Sequence, residues 1–149
     1  MPSRRQFVCA ISGLAAAQLI TTPASAQPDP FAPSIAGFTG GAPVREGRVR
    51  LEIPQLADNG NAVPLQISVD STLSAADYVQ RIIVLSEKNP RPVIATFHLG
   101  PHAGRARVAT RIRLNGAQRV MAIAQVSDGT FWSGAADVIV TSSACWDES

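Results

Sequence analysis

Apolar and polar residues alternate along most of the chain from residue 48 onward, which predicts β-strands with one buried face. Segments 48–53 and 63–69 alternate strictly, and the turn-forming Asp58-Asn59-Gly60-Asn61 lies between them. Since an Asn-Gly pair tolerates positive φ, the two segments are predicted to pair as in a hairpin, although the loop is longer than two residues.

Further strand segments follow at short intervals, each bounded by turn residues: 78–85, 93–99, 105–114, 120–126 and 131–141. No window of eleven or more residues has a convincing helical period, apart from a single turn around 74–78. The pattern predicts an all-β fold, an immunoglobulin-like antiparallel β-sandwich of about seven strands with a short C-terminal arm.

The first 26 residues have the features of an export signal. Arg4 and Arg5 precede a modest apolar run, and Ala24-Ser25-Ala26 is typical of a cleavage site. The S-R-R-x-F start is similar to the twin-arginine signal, which exports folded proteins in bacteria. An ordinary secretory signal holding two arginines would lead to the same compartment, the periplasm. The apolar run is too short to span a bilayer, so we expect cleavage after Ala26 and no membrane anchor afterwards.

Removal of residues 1–26 changes what the composition indicates. It leaves 123 residues, one domain's worth, with eleven basic and eleven acidic side chains. The net charge of +2 on the whole chain therefore gives no reason to expect nucleic-acid binding. The predicted organisation is an N-terminal arm at 27–47, either extended or a short irregular helix held by its aromatics, then the sandwich at 48–141. A C-terminal arm at 142–149 follows.

Cys145 lies in that C-terminal arm and is the candidate functional residue. The chain's other cysteine, Cys9, falls within the predicted signal, so Cys145 is expected to be the only thiol of the mature protein. A single thiol in an exported protein either pairs outside its own chain or is a free reactive group. On an arm that reaches roughly 13 Å past Thr141, it is suited to carrying a covalent adduct. A surface thiol of no consequence, or a chance disulfide dimer, is the alternative. Trp146 beside it must either dock on a surface or stand exposed.

The remaining polar residues give weaker indications. Four arginines share the outward face of one predicted strand, where they either bind an anionic partner or form a solvated face: Arg105, Arg107, Arg111 and Arg113. His98 and His102 have no acid or cysteine near them in the sequence, so no metal site is predicted. No catalytic triad, other catalytic residue or cofactor is expected either. Trp132 is interpreted as a core or rim aromatic.

Five segments are, in combination, similar to those of one protein family: L-E-I-P-Q-L-A-D-N-G-N-A-V-P-L (51–65), E-K-N-P-R-P (87–92), A-T-F-H-L-G-P (95–101), T-R-I-R-L (110–114) and the A-Q-V-S-D-G-T stretch ending at Thr130. From about Phe38 to Cys145 the chain resembles SoxY, the sulfur-carrier subunit of the bacterial Sox thiosulfate-oxidation system. That family has a twin-arginine signal, an immunoglobulin-like fold and a periplasmic location.

The resemblance implies a carrier of sulfur substrates in thiosulfate oxidation, with no active site of its own. It implies that Cys145 holds the sulfur intermediate covalently, that the chain pairs with a SoxZ-like subunit, and that it serves Sox enzymes of heme, dimanganese and molybdenum type. The family's Gly-Gly-Cys-Gly-Gly pattern is absent, because Ser143 and Ala144 precede the cysteine and Trp146 and Asp147 follow it. The alternative is a SoxY-like binding module without standard carrier activity.

Overall fold

The computed structural model of the protein describes residues 27–144. The predicted signal, residues 1–26, and residues 145–149 with Cys145 lie outside the described residues. Within 27–144, nine strands form two sheets. Their bounds are β1 Val44–Glu46, β2 Val49–Glu52, β3 Leu56–Ala57, β4 Val63–Val69, β5 Val79–Ser86, β6 Val93–His98, β7 Arg107–Ile112, β8 Gln118–Val126 and β9 Phe131–Val140. One α-helix, α1 Ala32–Thr39, precedes them, and a single 3-10 turn, Gly60–Ala62, precedes β4.

The two sheets form the predicted all-β, immunoglobulin-like sandwich, which confirms the fold class. The large sheet has the order β1-β9-β8-β5-β6, and the small sheet has the order β2-β4-β7. The short strands β1 and β3 both pair in parallel with β9, β1 near its start and β3 at its end. The pairing of β2 with β4 is antiparallel, as predicted. Their connection is more than a hairpin turn, because β3 crosses to the large sheet between them.

The main core lies between the two sheets. Strand β4 alternates buried and more exposed residues over its whole length, so its apolar side chains fill this space. The alternation predicted around β7 is confirmed, since Ala106, Ile112 and Leu114 are buried while the four arginines of the segment are exposed. The sheets approach closely at Gly134 of β9, where a Cβ atom would lie 2.2 Å from the carbonyl oxygen of Val49.

A second core lies on the outer face of the large sheet, beneath α1. Its buried members are Phe31, Ile83, Leu85, Ile123 and Phe131. The helix therefore covers a face that an isolated sandwich would leave to solvent. Within residues 27–144, no helix has the length and apolar character needed to cross a bilayer.

The N-terminal segment is part of the folded body. Predicted as an extended arm or a short irregular helix, it contains α1 and the sheet strand β1, so it is not extended. Phe31 is 3% exposed, and the Phe38 ring meets that of Phe131 edge-on with centroids 5.7 Å apart. The Arg81 guanidinium lies 4.8 Å from the centroid of Phe38. Aromatic packing thus fixes this segment to the sheet.

Candidate functional site

Strand β9 carries the chain to the predicted C-terminal arm and is held on both sides where it ends. It pairs with β8 up to Val138 and with β3 at Ile139 and Val140. Just past the strand, the Thr141 N–H donates to the carbonyl of Ala57 at 3.0 Å. The Thr141 hydroxyl donates to the carbonyl of Asp58 at 3.1 Å. The segment that follows β2 therefore fixes the position from which the arm starts.

The next three residues remain attached to the sandwich. The N–H of Gly60 donates to the carbonyl of Ser142 at 2.7 Å, and the N–H of Ala144 donates to the carbonyl of Leu114 at 3.1 Å. Leu114 in turn donates its own N–H to the carbonyl of Gly60 at 2.8 Å. Ala144 is 5% exposed. The expectation that the chain leaves the body after Thr141 is wrong, because these backbone hydrogen bonds hold it as far as Ala144.

Gly60 lies where the three segments meet, and a side chain would not fit there. A Cβ atom at this position would lie 2.4 Å from the Leu114 carbonyl oxygen, 2.8 Å from the Ala144 nitrogen and 3.0 Å from the Ser142 carbonyl oxygen. All three are backbone atoms, which cannot swing aside as the end of a flexible side chain can. The φ of Gly60 is not in the left-handed region. Gly60 does begin a turn, the 3-10 turn Gly60–Ala62, but the positive φ expected at this Asn-Gly pair is wrong. The position requires glycine because there is no room for a side chain.

A buried asparagine holds the loop that follows β7. The side-chain amide of Asn89, a residue 6% exposed, donates to the carbonyl of Arg113 at 2.7 Å. Its oxygen accepts from the N–H of Asn115 at 2.9 Å. These two bonds fix the backbone on either side of Leu114, the residue whose carbonyl accepts from Ala144. Asn89 is thereby linked, through one loop, to the last described residue before Cys145.

Gln118 joins that asparagine to the end of β5. Its side-chain oxygen accepts from the hydroxyl of Ser86 and from the N–H of Lys88, the latter at 3.0 Å. Its side-chain nitrogen donates to Asn89 and to the carbonyl of Gly116, each at 3.2 Å. No buried side-chain nitrogen or oxygen among the described residues lacks a partner. Because a fully satisfied buried network favours one geometry, it fixes the loop rigidly.

A groove of about 420 Å³ opens along the side of the sandwich, between β6 and β7. In the described part of the chain, β6 pairs only with β5 and β7 only with β4, so both strands present a free edge. The groove contains three arginines and no acidic residue; its lining is Asn89, Arg91, Val93, Ile94, Ala95, Thr110, Arg111, Ile112 and Arg113. It is a positively charged groove that adjoins the loop holding Ala144.

The structure does not gather the other sequence candidates into a site. Cys145, the predicted attachment point, lies outside the described residues, directly after Ala144. His98 and His102 are both exposed. Across residues 27–144, no group of three or more His, Cys, Asp and Glu residues is placed to hold a metal ion.

Trp132, interpreted as a core or rim aromatic, is partly buried and packs against the main core. Its ring is flanked by the guanidinium groups of Arg45 and Arg48, whose Cζ atoms lie 5.6 and 5.4 Å from the ring centroid. The indole N–H donates to the Thr130 hydroxyl at 2.9 Å. Trp132 therefore has a complete set of contacts within the sandwich.

Arg48 is held in a left-handed backbone conformation, with φ of 59°. Its Nη2 lies 2.8 Å from Oδ1 of Asp77, and its Nε donates to the carbonyl of Asp70 at 2.8 Å. Hydrogen bonds from Arg48 and from the N–H of Thr72 hold the pKa of Asp77 below its ordinary value of 3.8. This cluster fixes the connection between β4 and β5.

The family described as "Sulfur oxidation protein SoxY" matches residues 35–145 of the chain. The chain belongs to the SoxY family. The SoxY match begins within α1, includes both sheets and the attached residues 141–144, and its last residue is Cys145. The cysteine that the sequence indicated therefore lies within the family region, although its surroundings differ from the glycine pattern.

Solved structures of the same fold include SoxY itself. The sulfur carrier protein SoxY from Chlorobium limicola f. thiosulfatophilum has 23% identity and a TM-score of 0.62, over 74% of this chain and 96% of that one. A superoxide reductase (neelaredoxin) from Ignicoccus hospitalis has 16% identity and a TM-score of 0.56, over 63% of this chain and 80% of that one. The superoxide reductase from Nanoarchaeum equitans has 13% identity and a TM-score of 0.55, over 64% and 100%. At these identities the likeness shows a shared fold alone. No curated protein matches this chain in sequence.

Sequence reasoning missed the residues that position the end of this SoxY chain. Gly60, Asn89 and Gln118 meet through contacts between segments far apart in the sequence. The one sequence signal at these positions is the Asn59-Gly60 pair, which predicts a positive φ and not the close backbone contacts that Gly60 makes.

Proposed function

We propose that the protein carries sulfur substrates in thiosulfate oxidation, with Cys145 as the covalent attachment site. The observation that supports this most directly is that the SoxY family match ends on Cys145, immediately after a residue that the sandwich holds by a backbone hydrogen bond. The sandwich therefore fixes the position of Ala144, the residue directly before the proposed attachment site. The protein acts as a carrier, and the chemistry belongs to its partner enzymes.

The attachment chemistry follows from the thiol. The Cys145 thiolate joins the terminal sulfur of thiosulfate, so that one S–S bond forms and two electrons are released. A heme enzyme of the Sox system takes up those electrons. The product of this step is a cysteine S-thiosulfonate, and a reductant removes it by breaking the new S–S bond. Dimanganese and molybdenum enzymes act on the bound sulfur afterwards.

The proposed setting is the periplasm, with a SoxZ-like subunit as partner in a heterodimer. The signal-like residues 1–26 support export, and cleavage after Ala26 would leave Gln27 as the new N-terminus. The family's carrier system supports the pairing.

The test is the intact mass of the protein purified without reductant from cells supplied with thiosulfate. We expect an added mass of thiosulfonate or sulfane sulfur, located on the peptide that contains Cys145 and released by reductant. The same spectrum gives the N-terminus. Cys145→Ser is the matched control, since it replaces the thiol sulfur with an oxygen and changes no other atom of the side chain. It should show no adduct and no longer support thiosulfate oxidation.

The second candidate is a SoxY-like binding module without carrier activity. The replacement of all four glycines around Cys145 favours it, since Trp146 is bulky and Ala144 is buried. An unmodified mass with a freely alkylated Cys145, together with normal thiosulfate oxidation by Cys145→Ser, would rule out the carrier and favour this module.

A further inference from the structure

The groove between β6 and β7 has unbalanced positive charge. Arg91, Arg111 and Arg113 line it with no acidic residue among them. The two ion pairs within residues 27–144, Arg48–Asp77 and Arg119–Asp137, lie elsewhere and use none of these arginines. Three like charges around one concave surface favour an anionic occupant.

The same groove also has an apolar component. Val93 is 43% exposed and is one of three large apolar residues in the described chain that are exposed to this extent. Ile94, Ala95 and Ile112 line the groove beside it. The occupant that fits is therefore a short segment with an apolar or aromatic side chain next to carboxylates.

We propose that residues 146–148 of the same chain bind in this groove. Trp146 supplies the aromatic ring for the apolar component around Val93, and Asp147 and Glu148 supply two carboxylates for the arginines. Cys145 is then held between the anchor at Ala144 and the bound Trp146, close to guanidinium groups that favour a thiolate. This goes beyond the carrier role and does not depend on it.

Ala144, the residue from which the segment starts, lies close enough to the groove for residues 146–148 to reach it. Ala144 donates to the Leu114 carbonyl at 3.1 Å, and Arg113, which lines the groove, is the residue before Leu114. From Ala144 to Asp147 is three residues, which span about 10 Å when extended. The segment therefore needs only to cross the loop after β7.

A second exposed apolar surface lies near the arm and is a weaker fit. Leu56 and Ile139 are neighbours in register, each 58% exposed. The charges beside them, Arg119 and Asp137, already form an ion pair with each other. This patch offers a surface for an indole ring, but nothing for two carboxylates.

The test uses nuclear magnetic resonance of the ¹⁵N-labelled protein, purified from cells that express the full chain. The chain has two tryptophans, so two indole N–H signals are expected, and Trp146→Phe identifies that of Trp146. Replacing the three groove arginines together by glutamine should shift the Trp146 signal and leave that of Trp132 in place. Salt at about 1 M should move the wild-type signal the same way, because screening weakens the attraction.

The matched control replaces three exposed arginines outside the groove: Arg50, Arg105 and Arg107→Gln. It removes the same charge and should not move the Trp146 signal. Reciprocally, Trp146→Ala should shift the backbone amide signals of Val93, Ala95 and Arg113, which the proposal places next to the ring.

Three results would overturn the proposal. The first is a Trp146 signal that the groove variant leaves unchanged. The second is a Trp146→Ala effect confined to the amides of Leu56 and Ile139, which would assign the segment to that patch. The third is a set of shifts that disappears on dilution, which would assign the groove to the tail of a second copy.

Discussion

At the scale of single residues, Gly60 determines whether the segment before Cys145 can stay on the body. Gly60→Ala would place a methyl group 2.4 Å from the Leu114 carbonyl oxygen, so the backbone must move. We expect a loss of about 1–3 kcal/mol in the free energy of unfolding, as for other overpacked sites. Urea unfolding measures the loss. Hydrogen exchange at the Ala144 amide should also become faster, because its bond to Leu114 is disturbed.

The control for this variant is Gly37→Ala. Gly37 lies within α1, where an added methyl group would meet nothing within 4 Å. Alanine is favoured over glycine inside a helix by roughly 0.5–1 kcal/mol, so this variant should be neutral or more stable. If Gly60→Ala were equally well tolerated, the described convergence of backbone segments would be incorrect.

Asp77 gives a prediction about acid stability. Its lowered pKa means that the folded carboxyl holds its charge to a lower pH than the unfolded one does. Its stabilising contribution is therefore present above the ordinary value of 3.8 and is lost as the pH falls through the folded pKa. Asp77→Asn should be less stable than wild type at pH 7, and the difference should narrow below pH 3.8.

Urea unfolding of Asp77→Asn, repeated at several pH values, measures this difference. Asp58→Asn is the control, because its exposed carboxylate lies outside the Arg48 cluster. An Asp77→Asn deficit of the same size at every pH would show that the ionised carboxylate is not the cause.

What the sequence predicted at this scale depended on how local the cause was. The exposed arginines around β7 could be predicted, because alternation is a property of neighbouring residues. The sequence could indicate that a glycine is needed at position 60, but not the reason for it. The atoms that exclude a side chain there belong to Leu114, Ser142 and Ala144. No local pattern carries that information.

At the scale of elements, the turn after β5 and the loop after β7 are joined by Asn89. Asn89→Ala would leave the Arg113 carbonyl and the Asn115 N–H without their present partner. Unpaired buried groups of this kind cost about 1–3 kcal/mol, so we expect a loss of that size in the free energy of unfolding. The Ala144 amide should also exchange faster, because the loop that holds it is released.

Lys88→Ala is the control for that prediction. Lys88 lies in the same turn with an exposed side chain, and only its backbone N–H bonds to Gln118. Its removal should change neither stability nor exchange at Ala144. Should Asn89→Ala destabilise the fold while Ala144 exchange stays constant, the loop would not be what positions the arm.

The long strands could be predicted from the sequence, and the short ones could not. Strands β1 and β3 have three and two residues, too few for a period to appear. Each forms because β9 offers it a free edge, which is a property of the assembled sheet. Strand β5 does carry a sequence signal, because residues 82–85 are all apolar and do not alternate. Residues 82–86 are all buried, so both faces of the strand are covered, and α1 covers one of them.

At the scale of the whole molecule, the sequence indicated the candidate residue and the structure describes the body that presents it. Cys145 could be selected because the chain's other cysteine, Cys9, falls within the predicted signal. The length of free chain between Thr141 and Cys145 was overestimated. The hydrogen bonds that hold Ser142 and Ala144 come from Gly60 and Leu114, which are far away in the sequence.

The pinning of Ser142 and Ala144 has a consequence for the partners of a carrier with this build. A partner with a shallow active site can take up the end of the chain with the tether as it stands. A partner with a deep one must first peel the chain back to Thr141, breaking the Gly60–Ser142 and Leu114–Ala144 bonds, at roughly 1 kcal/mol each. Peeling lengthens the tether by about 10 Å. These two backbone hydrogen bonds thus favour partners with shallow active sites over partners with deep ones.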